Sequence, residues 1–125
     1  MGDYAKVIEM FSEDAEWWCF APSTIPFAGR YKKREQINQF LSKFTQTVML
    51  YKLVPIEFID GGDSVVILGK QKIKIRATGE TILSGSVHVC TLLNGEITSL
   101  KDYSITSIHY AALRNKRKPF LSWLN

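Results

Sequence analysis

Between residues 49 and 108 the chain is β-like except at turns, and nothing else restricts its fold so strongly. Residues 50–59, 65–77, 81–93 and 97–108 are rich in β-branched and aromatic side chains, and each run ends in turn chemistry. Gly61-Gly62-Asp63 and Asn94-Gly95 tolerate positive φ, so these connections are read as tight hairpins and the strands they join as antiparallel. A meander of long strands has an apolar face that it cannot bury alone. Something earlier in the chain must cover it.

The first third supplies the cover. Tyr4, Val7, Ile8 and Phe11 recur at i, i+3, i+4, i+7, which predicts a helix from Asp3, its candidate N-cap, to Phe11. Ser12-Glu13-Asp14 breaks that period. Glu16 to Phe20, with its paired Trp, a Cys and a Phe, reads as a short strand, and the loop from Pro22 to Pro26 turns the chain. Beyond Gly29, Ile37, Phe40, Leu41 and Phe44 restore the helical spacing for a second helix of about three turns. Lys32 to Glu35 lead into it, and Thr45-Gln46-Thr47 lead out. This order predicts an α+β fold: a curved antiparallel sheet, bent into a cone, packed against N-terminal helices. Residues 1–112 form the expected single domain, followed at 113–125 by a tail that is basic and then apolar.

Composition narrows the function. A chain of 125 residues with 46% hydrophobic content buries about two-thirds of its unfolded surface as one domain. Its apolar runs fall far short of the ~18 residues of a membrane span. With no secretory pattern at Met1-Gly2-Asp3-Tyr4, a cytoplasmic location is expected. Cys19 and Cys90 stand alone in apolar settings, which argues for buried free thiols over a disulfide or zinc. Much of the basic excess lies in Lys70/Lys72/Lys74/Arg76 and Arg114/Lys116/Arg117/Lys118. The first group alternates with Gln71, Ile73 and Ile75 as a half-exposed strand does, so nucleic acid is not an expected partner. No phosphate-binding loop, metal-ligand cluster or Ser-His-Asp spacing is present in the sequence, and neither metal nor cofactor is expected.

Three ordered segments carry a family likeness: Asp14-Ala15-Glu16-Trp17, then Phe27-Ala28-Gly29-Arg30-Tyr31 ahead of Arg34-Glu35-Gln36-Ile37, then Val87-His88-Val89 through Gly95-Glu96-Ile97 to Asp102-Tyr103. Over roughly residues 3–112 the chain resembles the SnoaL-like polyketide cyclase and ketosteroid isomerase branch of the nuclear transport factor 2-like superfamily. The resemblance implies a cavity between the concave sheet face and the helices, a homodimer through the outer face, and proton-transfer chemistry of the isomerase or cyclase type. Carried over by position, the isomerase base falls on Cys19, so that carboxylate is missing. The branch's second hydrogen-bond donor falls on His88 when one hairpin residue is taken as a gap. The cyclase acid/base falls on Asp102, and an Asp common three residues later is replaced by Ile105.

The residues themselves allow a consistent reading. Alternation puts Ser86, His88, Cys90 and Leu92 on one strand face and Val87, Val89, Thr91 and Leu93 on the other. Pairing across Asn94-Gly95 brings His88 opposite Lys101 or Asp102, and a one-residue slip changes the face. A His88–Asp102 pair would move a proton at an acidic carbon, since imidazole titrates near neutrality and a carboxylate orients it. The alternative is a hydrogen-bonded histidine in a mixed core. Trp17, Trp18, Cys19, Phe20, Phe27 and Tyr103 are the candidate walls of a pocket for a small hydrophobic, cyclic ligand. Trp17 and Trp18 must face opposite ways, so one of them covers a helix or a subunit interface. The competing function is a non-catalytic dimerisation or adaptor module.

Overall fold

The computed structural model describes residues 4–23 and 25–103. The candidate cap Asp3, the expected strand residues 104–108 and the expected tail at 113–125 lie outside them. In chain order the elements are α1 (Tyr4–Glu9), β1 (Phe11–Cys19), β2 (Gly29–Lys32), α2 (Lys33–Thr47), β3 (Val48–Asp60), β4 (Ser64–Ile75), β5 (Thr81–Leu93) and β6 (Glu96–Asp102). One six-stranded sheet has the order β2-β1-β6-β5-β4-β3. The helices cover one face of it, so the α+β expectation holds.

The meander forms as its turns require. Asn94 and Gly95 both have positive φ (53° and 81°), the geometry that matches a two-residue hairpin to strand twist. At the β3–β4 turn Gly62 has φ 86°, and its N–H donates to Asp60 Oδ1 at 2.9 Å. Pro55 is tolerated inside β3 because that strand is an edge of the sheet. A bulge between Pro55 and Glu57 bends the strand there.

Three features differ from the sequence expectation. Phe11 belongs to β1 and not to the first helix, because Ile97 N–H donates to Met10 O (2.9 Å) and Phe11 pairs with Ile97 of β6. Gly29–Lys32 forms a short strand on β1 ahead of the second helix, placing Trp17 opposite Tyr31 and Trp18 opposite Arg30. The sheet is also not wholly antiparallel. β1 and β6 run parallel, since β2, α2 and β3 to β5 intervene and no hairpin constrains their direction.

α2 supplies the cover over the sheet. Ile37, Phe40 and Leu41 are buried on one stripe, and Phe40 meets the rings of Trp17 (4.6 Å), Tyr31 (5.2 Å), Phe44 (5.9 Å) and Phe27 (6.2 Å). Its ends are tied down by two arginines. Arg34 donates from Nε and Nη2 to Phe11 O (3.0 and 2.7 Å), and Arg76 Nε donates to Thr45 O (2.6 Å), satisfying a carbonyl of the last turn. Arg76 is thus a helix clamp as well as the end of the basic stripe.

Candidate functional site

The concave face of the sheet carries a cavity of about 360 Å³. β3 contributes Leu53, Pro55 and Phe58; β4 contributes Ile67; β5 contributes Ser86, His88 and Cys90; β6 contributes Ile97 and Leu100. Val7, Met10, Phe11 and Trp17 close it from the N-terminal side. The lining is largely apolar. Phe58, 63% exposed, and Met10, 56% exposed, stand at its edge, so the rim presents apolar surface to solvent.

The polar groups of the site are assembled by strand register. Asp102 lies opposite His88 on one side and opposite Cys19 on the other, and His88 lies opposite Ile67, so these residues form one row across the sheet. His88 Nε2 and Asp102 Oδ2 are 3.6 Å apart, and both side chains are mostly buried, at 16% and 18% exposure. That separation is too long for a direct hydrogen bond and short enough for strong attraction when the imidazole is protonated. The pair depends on a bulge. A regular ladder from Leu93 opposite Glu96 and Leu92 opposite Ile97 would set His88 against Lys101; the register shifts between Thr91 and Leu92, and His88 meets Asp102 instead. Thr98, the extra residue, donates its hydroxyl to Thr91 O at 3.2 Å.

Trp17 lines the cavity and Phe27 packs behind it, against Phe44 and Phe40. Cys19 is buried next to β6 and does not line the cavity. Trp18, Phe20 and Tyr103 lie elsewhere, because alternation turns them to the outer face. There Arg30 sits over Trp18 (4.9 Å), Trp18 stacks on Phe20 (4.6 Å), and Phe20 stacks on Tyr103 (4.5 Å, interplanar angle 4°). This ladder and the cavity are on opposite sides of the sheet. Most of the cavity wall is not legible in the sequence, Leu53, Pro55, Phe58 and Ile67 included. Leu53, Pro55 and Ile67 follow from alternation once β3 and β4 are paired; Phe58 reaches the cavity side only through the β3 bulge.

Burial raises the Cys90 thiol above its ordinary pKa of 9.0, so it stays protonated at neutral pH. Burial, with a smaller contribution from Cys19, likewise raises Tyr31 above 10.0, and its hydroxyl donates to Phe27 O at 3.1 Å. Among the described residues no group of three or more His, Cys, Asp or Glu is placed to hold a metal ion, and no helix is long and apolar enough to cross a membrane.

Several solved structures share this architecture. TerC co-crystallised with polyporic acid is 24% identical, with a TM-score of 0.77 and coverage of 90% of this chain and 86% of that one. An NTF2-like protein of unknown function from Burkholderia pseudomallei is 22% identical, with a TM-score of 0.74 and 85% of each chain covered. A proposed SnoaL-like polyketide cyclase from Mesorhizobium loti is 20% identical, with a TM-score of 0.69 and coverage of 82% and 86%. No protein-family model and no curated protein matches the sequence. The fold is the nuclear transport factor 2-like fold, shared with SnoaL-like and ketosteroid isomerase-like proteins.

Proposed function

We propose that the cavity binds a small, ring-containing apolar molecule and that His88, with Asp102 beside it, moves a proton on that ligand. One observation carries the reading: His88 lines an otherwise apolar cavity while a carboxylate stands 3.6 Å from its Nε2. A carboxylate at Nε2 favours the tautomer protonated there, leaving Nδ1 with the lone pair. The chemistry that fits is abstraction of a proton from carbon next to an electron-withdrawing group, followed by its return elsewhere, as in an isomerisation or cyclisation. The co-crystallised ligand of TerC makes polyporic acid a suitable first probe.

The test has two parts. Thermal shift against polyporic acid and a panel of cyclic ketones should reveal at least one stabilising ligand. With a bound ketone in D₂O, exchange of the protons α to the carbonyl is followed by NMR; His88→Gln should slow it by about 100-fold or more. Asp102→Asn should slow it as well. If no ring compound stabilises the protein, the cavity reading falls; if His88→Gln exchanges at the wild-type rate, the proton-transfer role falls.

A second reading, association through the sheet, is favoured by one observation. The outer face of β3 to β5 exposes Val54, Ile59, Leu83 and Leu93, with Leu83 at 73% exposure. The two readings use opposite faces and are compatible.

A further inference from the structure

The outer face of the sheet carries a hollow of about 920 Å³ between β3, β4 and β5, larger than the cavity on the inner face. Gly85 leaves β5 without a side chain there, and Val54, Ile56, Leu68 and Leu83 give the hollow an apolar lining. Three cations border the same space. Lys52 of β3 lies directly opposite Lys72 of β4, and Lys70 follows two residues along, opposite Val54. Like charges set directly opposite each other destabilise a sheet, and among the described residues none of the three forms an ion pair with a carboxylate. A single lysine on a strand needs no partner, since its head reaches water. Three around an apolar hollow supply what an amphiphilic anion needs: charge for one end and contact area for the rest.

We infer that this hollow binds an amphiphilic anion, an alkyl or aryl chain ending in a carboxylate, phosphate or sulfonate. The charged end sits among Lys52, Lys70 and Lys72, and the chain covers Val54, Ile56, Leu68 and Leu83. Four residues of strand separate Lys72 from Leu68, about 13 Å at the rise of a β-strand, which suits a chain of medium length. The site stands apart from the inner cavity, so it depends on neither His88 nor the ring ligand proposed for that space. It competes with the association reading for Val54 and Leu83. For the hollow itself the lysines favour the anion, because a second copy brings its own lysines against these, whereas an anion neutralises them. With no anion bound, the face is left open to a second copy.

Decanoate, decanol and decyltrimethylammonium share a chain length and differ in charge, and calorimetric titration into the full chain compares them below their micellar range. Decanoate should bind about ten-fold or more tightly than decanol, with decyltrimethylammonium weakest, and only the decanoate affinity should fall as salt rises. Lys70→Gln combined with Lys72→Gln, both at exposed positions, should bring decanoate down to the level of decanol, while Leu83→Ser should weaken both alike. In ¹H–¹⁵N spectra decanoate should move the amides of residues 68–72 and 83–85 and leave those of Phe11 and Ile97 in place. Equal affinities for decanoate and decanol, a decanoate affinity unchanged by the lysine variant, or shifts confined to the inner cavity would each overturn the inference. Binding to phosphatidylglycerol vesicles without binding to decanoate would overturn it too, and would assign the face to an anionic membrane surface. Failure of every probe would overturn it as well; amides of 68–72 and 83–85 that moved with protein concentration would then give the hollow to a second copy.

Discussion

Cys90 lines the cavity as a neutral thiol, and its environment sets a pH dependence. Its folded pKa lies above the ordinary 9.0, so its contribution to stability is whole below about pH 9 and is lost as pH rises through the folded pKa, where the unfolded chain has already ionised. Tyr31 adds a loss of the same sign starting at higher pH. Urea midpoints taken from neutral to alkaline pH should fall in the wild type, and less steeply in Cys90→Ala above about pH 9. Identical slopes would show that the thiol is not the group being read. At Gly69 the constraint is steric. A Cβ there would sit 2.6 Å from Val54 O and 2.8 Å from Ser86 Oγ, so β3 or the cavity floor would have to shift. Gly69→Ala is expected to lose about 1–3 kcal/mol in chemical denaturation, and an unchanged midpoint would mean the strands separate freely.

α2 shows what a sequence discloses about an element. Ile37, Phe40 and Leu41 were legible as a core stripe because helical period is a local property, and all three are buried. Phe40 meets Trp17, Phe27, Tyr31 and Phe44, so Phe40→Ala should cost about 3–5 kcal/mol by equilibrium unfolding, with Phe40→Leu costing clearly less. Comparable losses for the two would place the energy outside the ring contacts. Phe11 was not legible: it satisfies both the helical spacing and a strand, and its pairing with Ile97, far along the chain, decides between them. The same holds for the cavity. Alternation from Pro55 would turn Glu57 inward, but the β3 bulge brings Phe58 in its place. His88 opposite Asp102 was readable to within one residue, and the residue in question was settled by the bulge at Thr98. Bulges arise from the balance of twist and packing across a whole sheet, so no local signal announces them. Trp18, Phe20 and Tyr103 share only aromatic type with Trp17, and strand parity separates them from it, as alternation already requires for the adjacent Trp18.

At the scale of the molecule the sheet has two distinct faces. The inner one carries the cavity; the outer one carries Val54, Ile59, Leu83 and Leu93, with Lys52, Lys70 and Lys72 around a broad hollow that Val54 and Leu83 help to line. Apolar residues this exposed on a sheet suit association with a second copy, which gains by covering them. The lysines oppose it, since a self-pairing face brings like charges together, and salt screens that repulsion while leaving apolar burial in place. Sedimentation velocity across micromolar concentrations should therefore show a monomer–dimer equilibrium that tightens as ionic strength rises. Leu83→Lys, which removes apolar surface and adds a charge, should shift it towards monomer by ten-fold or more, roughly the effect of losing one well-buried contact. Because Leu83 lies on the face away from His88 and Trp17, the variant should keep whatever stabilisation ring compounds give the wild type. A wild type that stays monomeric at every concentration and salt level would make the outer face a solvated one. A dimer that weakens with salt would instead mean that the outer-face lysines pair with carboxylates of the second copy, such as Glu57 beside the same hollow, and that ion pairs hold the association more than apolar burial does.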